Sequence, residues 1–251
     1  MQEEPDRCAF FTAERVNYLE IVIQSLPKLL KGASLTVLIT VLSVSLGCVI
    51  GLIVGLARLS GKRFLRLAAT AYVDFFRGTP LLVQVLIVYF GTPVLLEDIQ
   101  SFFMVHFGMP QLIDNYAMPR LMAAVIACSL NSGAYIAEIF RAGVQSIERG
   151  QAEAARSLGM TQGQAMRHVI LPQAFKRVIP PLGNEFIALL KDTSLLSVIG
   201  IIELTKSGML IVAWTYEAFA IYLTVAFIYL VMTFTLSRIV DYLERRLQAG
   251  D

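Results

Sequence analysis

The chain has 251 residues, 56% of them hydrophobic and only 16% charged, with a mean hydropathy of +0.66. Soluble domains average about 25% charged residues, so this composition excludes an ordinary soluble domain. A formal net charge of +2 also gives no basic surface for nucleic acid. Cys8, Cys48, Cys128, His106 and His168 make no metal-ligand spacing, and the odd cysteine count argues against a full disulfide framework.

The amino terminus reads MQEEPDR, acidic where a signal peptide carries a basic region. Residues 1–30 are therefore expected to be an extracytoplasmic segment, with membrane insertion left to the first span. A transmembrane domain over 31–247 follows. Long uncharged runs such as Leu35 to Ala57 match the ~30 Å hydrocarbon layer when wound as helices. No ten-residue alternation of a closed barrel is present. Five spans are predicted at about 33–57, 64–97, 119–146, 175–202 and 217–243, giving an all-α membrane protein. Pro80 interrupts the second span, and LLKDTSLL interrupts the fourth. Such breaks are tolerated where the freed backbone groups find partners or line a wet cavity.

Basic residues in short loops set orientation. Arg58, Lys62, Arg63 and Arg66 follow the first span. Arg141, Arg149, Arg156, Arg167, Lys176 and Arg177 surround the loop after the third, and Arg245 and Arg246 follow the fifth. These segments are predicted to be cytoplasmic. The opposite side carries Glu97, Asp98, Asp114, Glu203 and Glu217. An odd number of spans then puts the amino terminus outside and the carboxyl terminus in the cytoplasm.

The loop 147–174 has its own local design. Gln151 to Leu158 favours helix, and Gly159 can take the positive φ that stops it. Thr161 with Gln164 fits a capping box opening a second short helix, which Pro172 is expected to end. Ala154 and Ala155 leave a narrow face for a partner's groove, and Glu153 offers a charge; a solvated amphipathic loop is the other reading of these propensities. The pattern Glu153-Ala154-Ala155, Gly159, Val169, Leu171-Pro172 resembles the EAA loop of permease subunits in ATP-binding-cassette importers, with valine where that family has isoleucine. FFRGTPLLVQ (75–84), LNSGAYIAEIFRAG (130–143), IPPLGNEFIALLKDTSLLSVIG (179–200) and YLERRL (242–247) resemble its polar amino-acid branch. The likeness runs from about residue 26 onward, leaving the first residues and the 97–118 loop distinctive.

That resemblance implies a type I importer permease fold in a bacterial inner membrane, with short coupling helices at 147–174 docking on a separate ATPase subunit. It also implies a second permease, identical or homologous, and an extracytoplasmic amino-acid-binding protein. The chain itself lacks a GxxxxGK[ST] phosphate loop, so ATP and Mg are expected on the partner subunit and no cofactor or metal on this one. Neither a metal constellation nor a GxSxG elbow points to a membrane enzyme.

Polar residues inside spans are candidate functional groups by default. Asn131, Tyr135 and Glu138 share a face of the third span, Arg77 and Gln84 flank the Pro80 break, and Glu185 shares a face with Asp192 beside Lys191. Gln84, Asn131, Ser132 and Asp192 are the expected substrate-cavity residues, their positions matching those lining the cavity in the arginine and glutamine permeases. Arg77 either faces the pathway or pairs with Asp74 or Glu138. Tyr135 either packs or touches substrate, and Asn184 and Glu185 either bond between helices or line the cavity. An ion-gradient-driven secondary amino-acid transporter also uses broken helices at mid-membrane, and is the rival functional reading.

Overall fold

A computed structural model describes residues 18–248; the acidic start of the chain, including Cys8, lies outside the described residues. Its elements are α1 (Tyr18–Leu59), α2 (Arg63–Gly78), α3 (Leu81–Phe107), α4 (Arg120–Gln145), α5 (Arg149–Ser157), α6 (Gln162–Ile199), α7 (Leu204–Thr215) and α8 (Ala218–Gln248). Among the described residues, α1, α3, α4 and α8 are each long and apolar enough to cross a membrane. The pair α6 and α7, bent by 49° at a short break, makes a fifth candidate.

α1 runs 42 residues without interruption, about 63 Å at 1.5 Å per residue. It begins well before the expected span 33–57 and passes straight through the expected boundary at residue 30. Its carboxyl-terminal half lies along α4, the most extensive helix pairing in the fold. Apolar burial drives association weakly inside lipid, so close backbone approach matters more. Gly47, Gly51 and Gly55 supply that approach. A Cβ at Gly47 would lie 3.3 Å from the Gly133 nitrogen, and one at Gly51 would lie 2.6 Å from Ile136. Small residues answer from α4, where Ala123, Ala124, Ala127, Cys128, Ala134 and Ala137 are all buried.

The expected second span, 64–97, is two helices. α2 is amphipathic, with Ala69 and Val73 buried, and ends at Gly78. Thr79 and Pro80 are extended, and α3 starts at Leu81. α3 then continues to Phe107, beyond the expected end of the span, through a π turn at Ile87–Gly91. α4 matches the expected third span closely.

α6 changes character along its length. A π turn at Met166–Ile170 joins its first turn to the helix Leu171–Asp192, which tightens to 3₁₀ over Thr193–Ile199. Pro172, expected to end a helix, instead follows the π turn directly and α6 runs on through it, a local π adjustment of the kind that lets a helix tolerate proline's missing N–H. The interruption expected at LLKDTSLL is the switch to 3₁₀.

Two apolar clusters hold the helices together. Ile39, Val85, Ala127, Ile136, Leu189 and Leu196 join α1, α3, α4 and α6. Leu29, Leu204, Ile211 and Ile221 join the amino-terminal half of α1 to α7 and α8. The second cluster surrounds a buried polar clamp. Glu203 caps α7, accepting from the Thr205 nitrogen at 2.8 Å and the Lys206 nitrogen at 2.7 Å. The Tyr229 hydroxyl of α8 donates to the same carboxylate at 3.0 Å, and the Leu204 nitrogen donates to Thr36 of α1 at 3.3 Å. Glu203, one of the acids expected on the extracytoplasmic side, is fully buried.

Candidate functional site

The connection between α4 and α6 is an elbow with its own small core. Ile147, Ile170 and Ala174 are buried together, with Val144, Ala152, Met166 and Val169 against them. Gly159 breaks the chain after α5 at φ 84°, in the left-handed region that favours glycine. The capping box is present: the Gln164 nitrogen donates to Thr161 Oγ1, and the Thr161 nitrogen donates to Gln164 Oε1. Ala155 is buried, whereas Glu153 and Ala154 are exposed. The face free for a partner is therefore Glu153, Ala154 and the tip at Leu158, an aliphatic side chain left 82% exposed. Leu171 is half-buried and Pro172 exposed at the base.

A second arrangement sits where α2 ends inside the helical body. Helix termination leaves orphan carbonyls, and here two amides satisfy them. Gln84 Nε2 donates to the Phe76 oxygen at 2.9 Å and the Thr79 oxygen at 3.0 Å. It also lies 2.8 Å from Thr79 Oγ1. Asn131 Nδ2 donates to Gln84 Oε1 at 3.0 Å and to the Phe76 oxygen at 3.3 Å. Gln84 and Asn131 thus come together as expected, but most of their hydrogen-bonding capacity closes the Pro80 break.

Ser132 is fully buried and its hydroxyl has no partner of hydrogen-bond geometry; the Glu185 carboxyl is its polar neighbour. Lys191 and Asp192 are exposed side by side at the switch to 3₁₀. The 3₁₀ segment that follows Asp192 packs on the first turns of α3, the helix that carries Gln84. Asp192 is accordingly the expected cavity residue with the freest functional group.

The third arrangement ties three helix ends to one acid. Glu138 of α4 is paired with Arg58 of α1 and with Arg141 one turn along α4. Arg77, at the end of α2, lies 4.0 Å from Glu138 and 5.3 Å from the Tyr135 ring centroid. Of the two partners expected for Arg77, Glu138 is the one in reach. The surplus of guanidinium charge makes Glu138 the keystone. Its replacement by glutamine removes charge-assisted hydrogen bonds worth about 2 kcal/mol, counted modestly because the group is partly exposed. Thermal melting of the solubilised Glu138→Gln protein should begin several degrees lower; an unchanged melt would show the cluster to be solvated decoration.

Sequence reasoning missed Arg58 as a partner of Glu138, because it read as one of many loop cations. It missed Thr79 and the Glu203 clamp as well. The signal for the clamp was an acid directly before an apolar helical run, an N-cap pattern.

A family model described as "Binding-protein-dependent transport system inner membrane component" matches residues 47–249. The chain belongs to that family, and is one of its membrane-spanning subunits. The glutamine transport system permease protein GlnP of Escherichia coli (strain K12) is 42% identical over 224 residues, covering 89% of this chain and 94% of GlnP. The arginine transport system permease protein ArtQ of Bacillus subtilis (strain 168) is 36% identical over 229 residues, covering 91% and 96%. Among solved structures, a crystal structure of an amino acid ABC transporter with histidines superposes with a TM-score of 0.80 at 41% identity, covering 93% of this chain and 100% of that one. The inward-facing MetNI methionine ABC transporter shares the fold, with a TM-score of 0.67 at 22% identity, covering 88% and 97%.

Proposed function

We propose that this chain is the permease subunit of an ATP-driven importer for a polar amino acid, glutamine or a basic amino acid, forming the pathway with a second permease. The observation that carries this reading is the elbow. A glycine in the left-handed region, a capping box and a private apolar core make it a rigid projection, and its tip, Leu158, is left largely exposed. An ion-gradient transporter has no use for such a feature, and membership of the family speaks against that reading. The basic loops support a cytoplasmic position for the elbow and carboxyl terminus, with the amino terminus outside.

The mechanism follows from where force enters. Nucleotide binding closes a separate pair of ATPase subunits, which carry ATP and Mg. The elbows are drawn together, and α4 and α6, which flank the elbow, move with them. The pathway then opens towards an extracytoplasmic binding protein that delivers the amino acid, and hydrolysis reverses the change. Ligand drives such a cycle only through different affinity in the two states. Asp192 is suited to an ammonium, amide or guanidinium group, which it accepts from as a carboxylate.

The test is a panel of amino acids assayed for ATPase stimulation of the purified complex in liposomes. Glutamine or a basic amino acid should stimulate the wild type. Asp192→Ala should raise the ligand concentration for half-stimulation roughly tenfold, as expected for one charge-assisted hydrogen bond, without lowering expression. Unchanged half-stimulation would remove Asp192 from the site, and uptake on a proton or sodium gradient without the ATPase would overturn the reading as a whole.

A further inference from the structure

Away from the Gln84–Asn131 network, a cavity lies between the amino-terminal half of α1 and α7. It has a volume of about 810 Å³. Two of its lining residues, Lys28 and Lys31, are exposed, and neither has an ion-pair partner among the described residues. Leu35, Leu38 and Leu210 continue the wall as an apolar surface, and Trp214 closes one side. The cavity is therefore amphipathic, with ammonium groups at one end and hydrocarbon at the other.

Its depth is fixed by charge along α1. Residues 32–57 carry no charged side chain, and Lys31 and Arg58 bracket them. That stretch is about 39 Å of helix, enough to cross a ~30 Å hydrocarbon layer with tilt. Lys31 therefore stands at one rim of the bilayer and Arg58 at the other. Trp214, Tyr216 and Phe219, all more than 80% exposed near the junction of α7 and α8, fit the aromatic belt that marks the same rim. Leu38, seven residues from Lys31, lies about 10 Å deeper along the helix axis.

We propose that this cavity is a binding site for an anionic phospholipid of the leaflet opposite the elbow. The phosphate lies between the Lys28 and Lys31 ammoniums, and an acyl chain runs down Leu35 and Leu38 beside α7. Charge complementarity selects this occupant. An apolar helix of a second permease would leave two ammoniums desolvated without a counter-charge, which is costly, whereas a lipid phosphate neutralises them and its chain fills the lower wall.

The experiment uses the intact permease–ATPase complex. Native mass spectrometry of the delipidated complex is followed by titration with phosphatidylglycerol, phosphatidylcholine or inorganic phosphate, with thermal melting recorded in parallel. Phosphatidylglycerol should be retained and should raise the melting temperature, and the other two should do neither. Each ammonium near a membrane surface is worth roughly a fivefold gain in anionic-lipid affinity. Lys28→Gln with Lys31→Gln should therefore weaken retention roughly 25-fold, and Lys28→Arg with Lys31→Arg should preserve it. Both positions are exposed, so neither pair threatens folding. Equal retention by the glutamine pair, equal stabilisation by phosphatidylcholine, or equal stabilisation by inorganic phosphate would each overturn the site. So would disulfide formation in high yield between Lys31→Cys and a cysteine on the second permease, which would show the cavity filled by protein.

Discussion

Replacing Gly159 with proline should leave the chain in the membrane while severing ATP hydrolysis from uptake. Gly159 holds φ at 84°, and its nitrogen donates to the Arg156 oxygen at 2.9 Å. Proline fixes φ near −65° and has no N–H, so it can satisfy neither requirement. The elbow has to open, by more than the ~1 kcal/mol typical of mismatched substitutions. The helical body, whose clusters lie elsewhere, keeps its packing. Uptake into liposomes should fall at least tenfold while basal ATPase activity and membrane abundance hold. Glu153→Lys should give the same uncoupling by reversing a charge on the free face, without any backbone change. Gly159→Ala is the graded comparison: nothing lies within 4 Å of an added Cβ, so only the left-handed backbone strain of about 1–2 kcal/mol remains. Normal ATP-dependent uptake by both Gly159→Pro and Glu153→Lys would remove the elbow's assigned role.

Gly51→Leu attacks the body itself. A Cβ there would lie 2.6 Å from Ile136 Cγ2 and 3.0 Å from the Ala137 backbone nitrogen. A side chain can shift, but a backbone nitrogen inside α4 cannot, so α1 must lift from its main partner. Overpacking of this kind costs about 3 kcal/mol, which for a chain of this size lowers the melting temperature by roughly 10 °C. The variant should insert but run as aggregate on size exclusion, without an assembled complex. Gly61→Leu, at a glycine with nothing within 4 Å, should behave as wild type. Equal melting of Gly51→Leu and Gly61→Leu would mean that α1 and α4 are not held by this contact.

What the sequence made legible was local. The capping box of Thr161 and Gln164 needs only neighbours in the chain, and it formed as read. So did the stop at Gly159 and the break at Pro80. The merging of α2 with α3 into one expected span has a physical reason: an amphipathic helix with a dense apolar face resembles half a span by composition. Pro172 was misjudged because the π turn before it absorbs the lost backbone hydrogen bond, and α6 runs on through it as it does through Pro180 and Pro181. The contacts that cross the fold left weaker traces. Gln84 and Asn131 are 47 residues apart in sequence, and nothing in either neighbourhood announces their pairing. The spacing of Gly47, Gly51 and Gly55 takes its meaning only from the small residues of α4 opposite.

The clamp at Glu203 has a mechanical consequence. α7 is fastened at its start to α1 through Thr36 and to α8 through Tyr229, so it cannot easily be towed by its neighbour. Just before it, Gly200 adopts φ 78°, leaving the preceding rod, α6, attached to an anchored block by a few turning residues. A push delivered at the opposite end of α6 would then be converted at Gly200 from displacement into swivel. The 3₁₀ stretch beside Asp192, being nearest that fulcrum, would travel least while turning through the same angle as the rest of the rod. A site placed there would be re-aimed with each stroke and scarcely carried along.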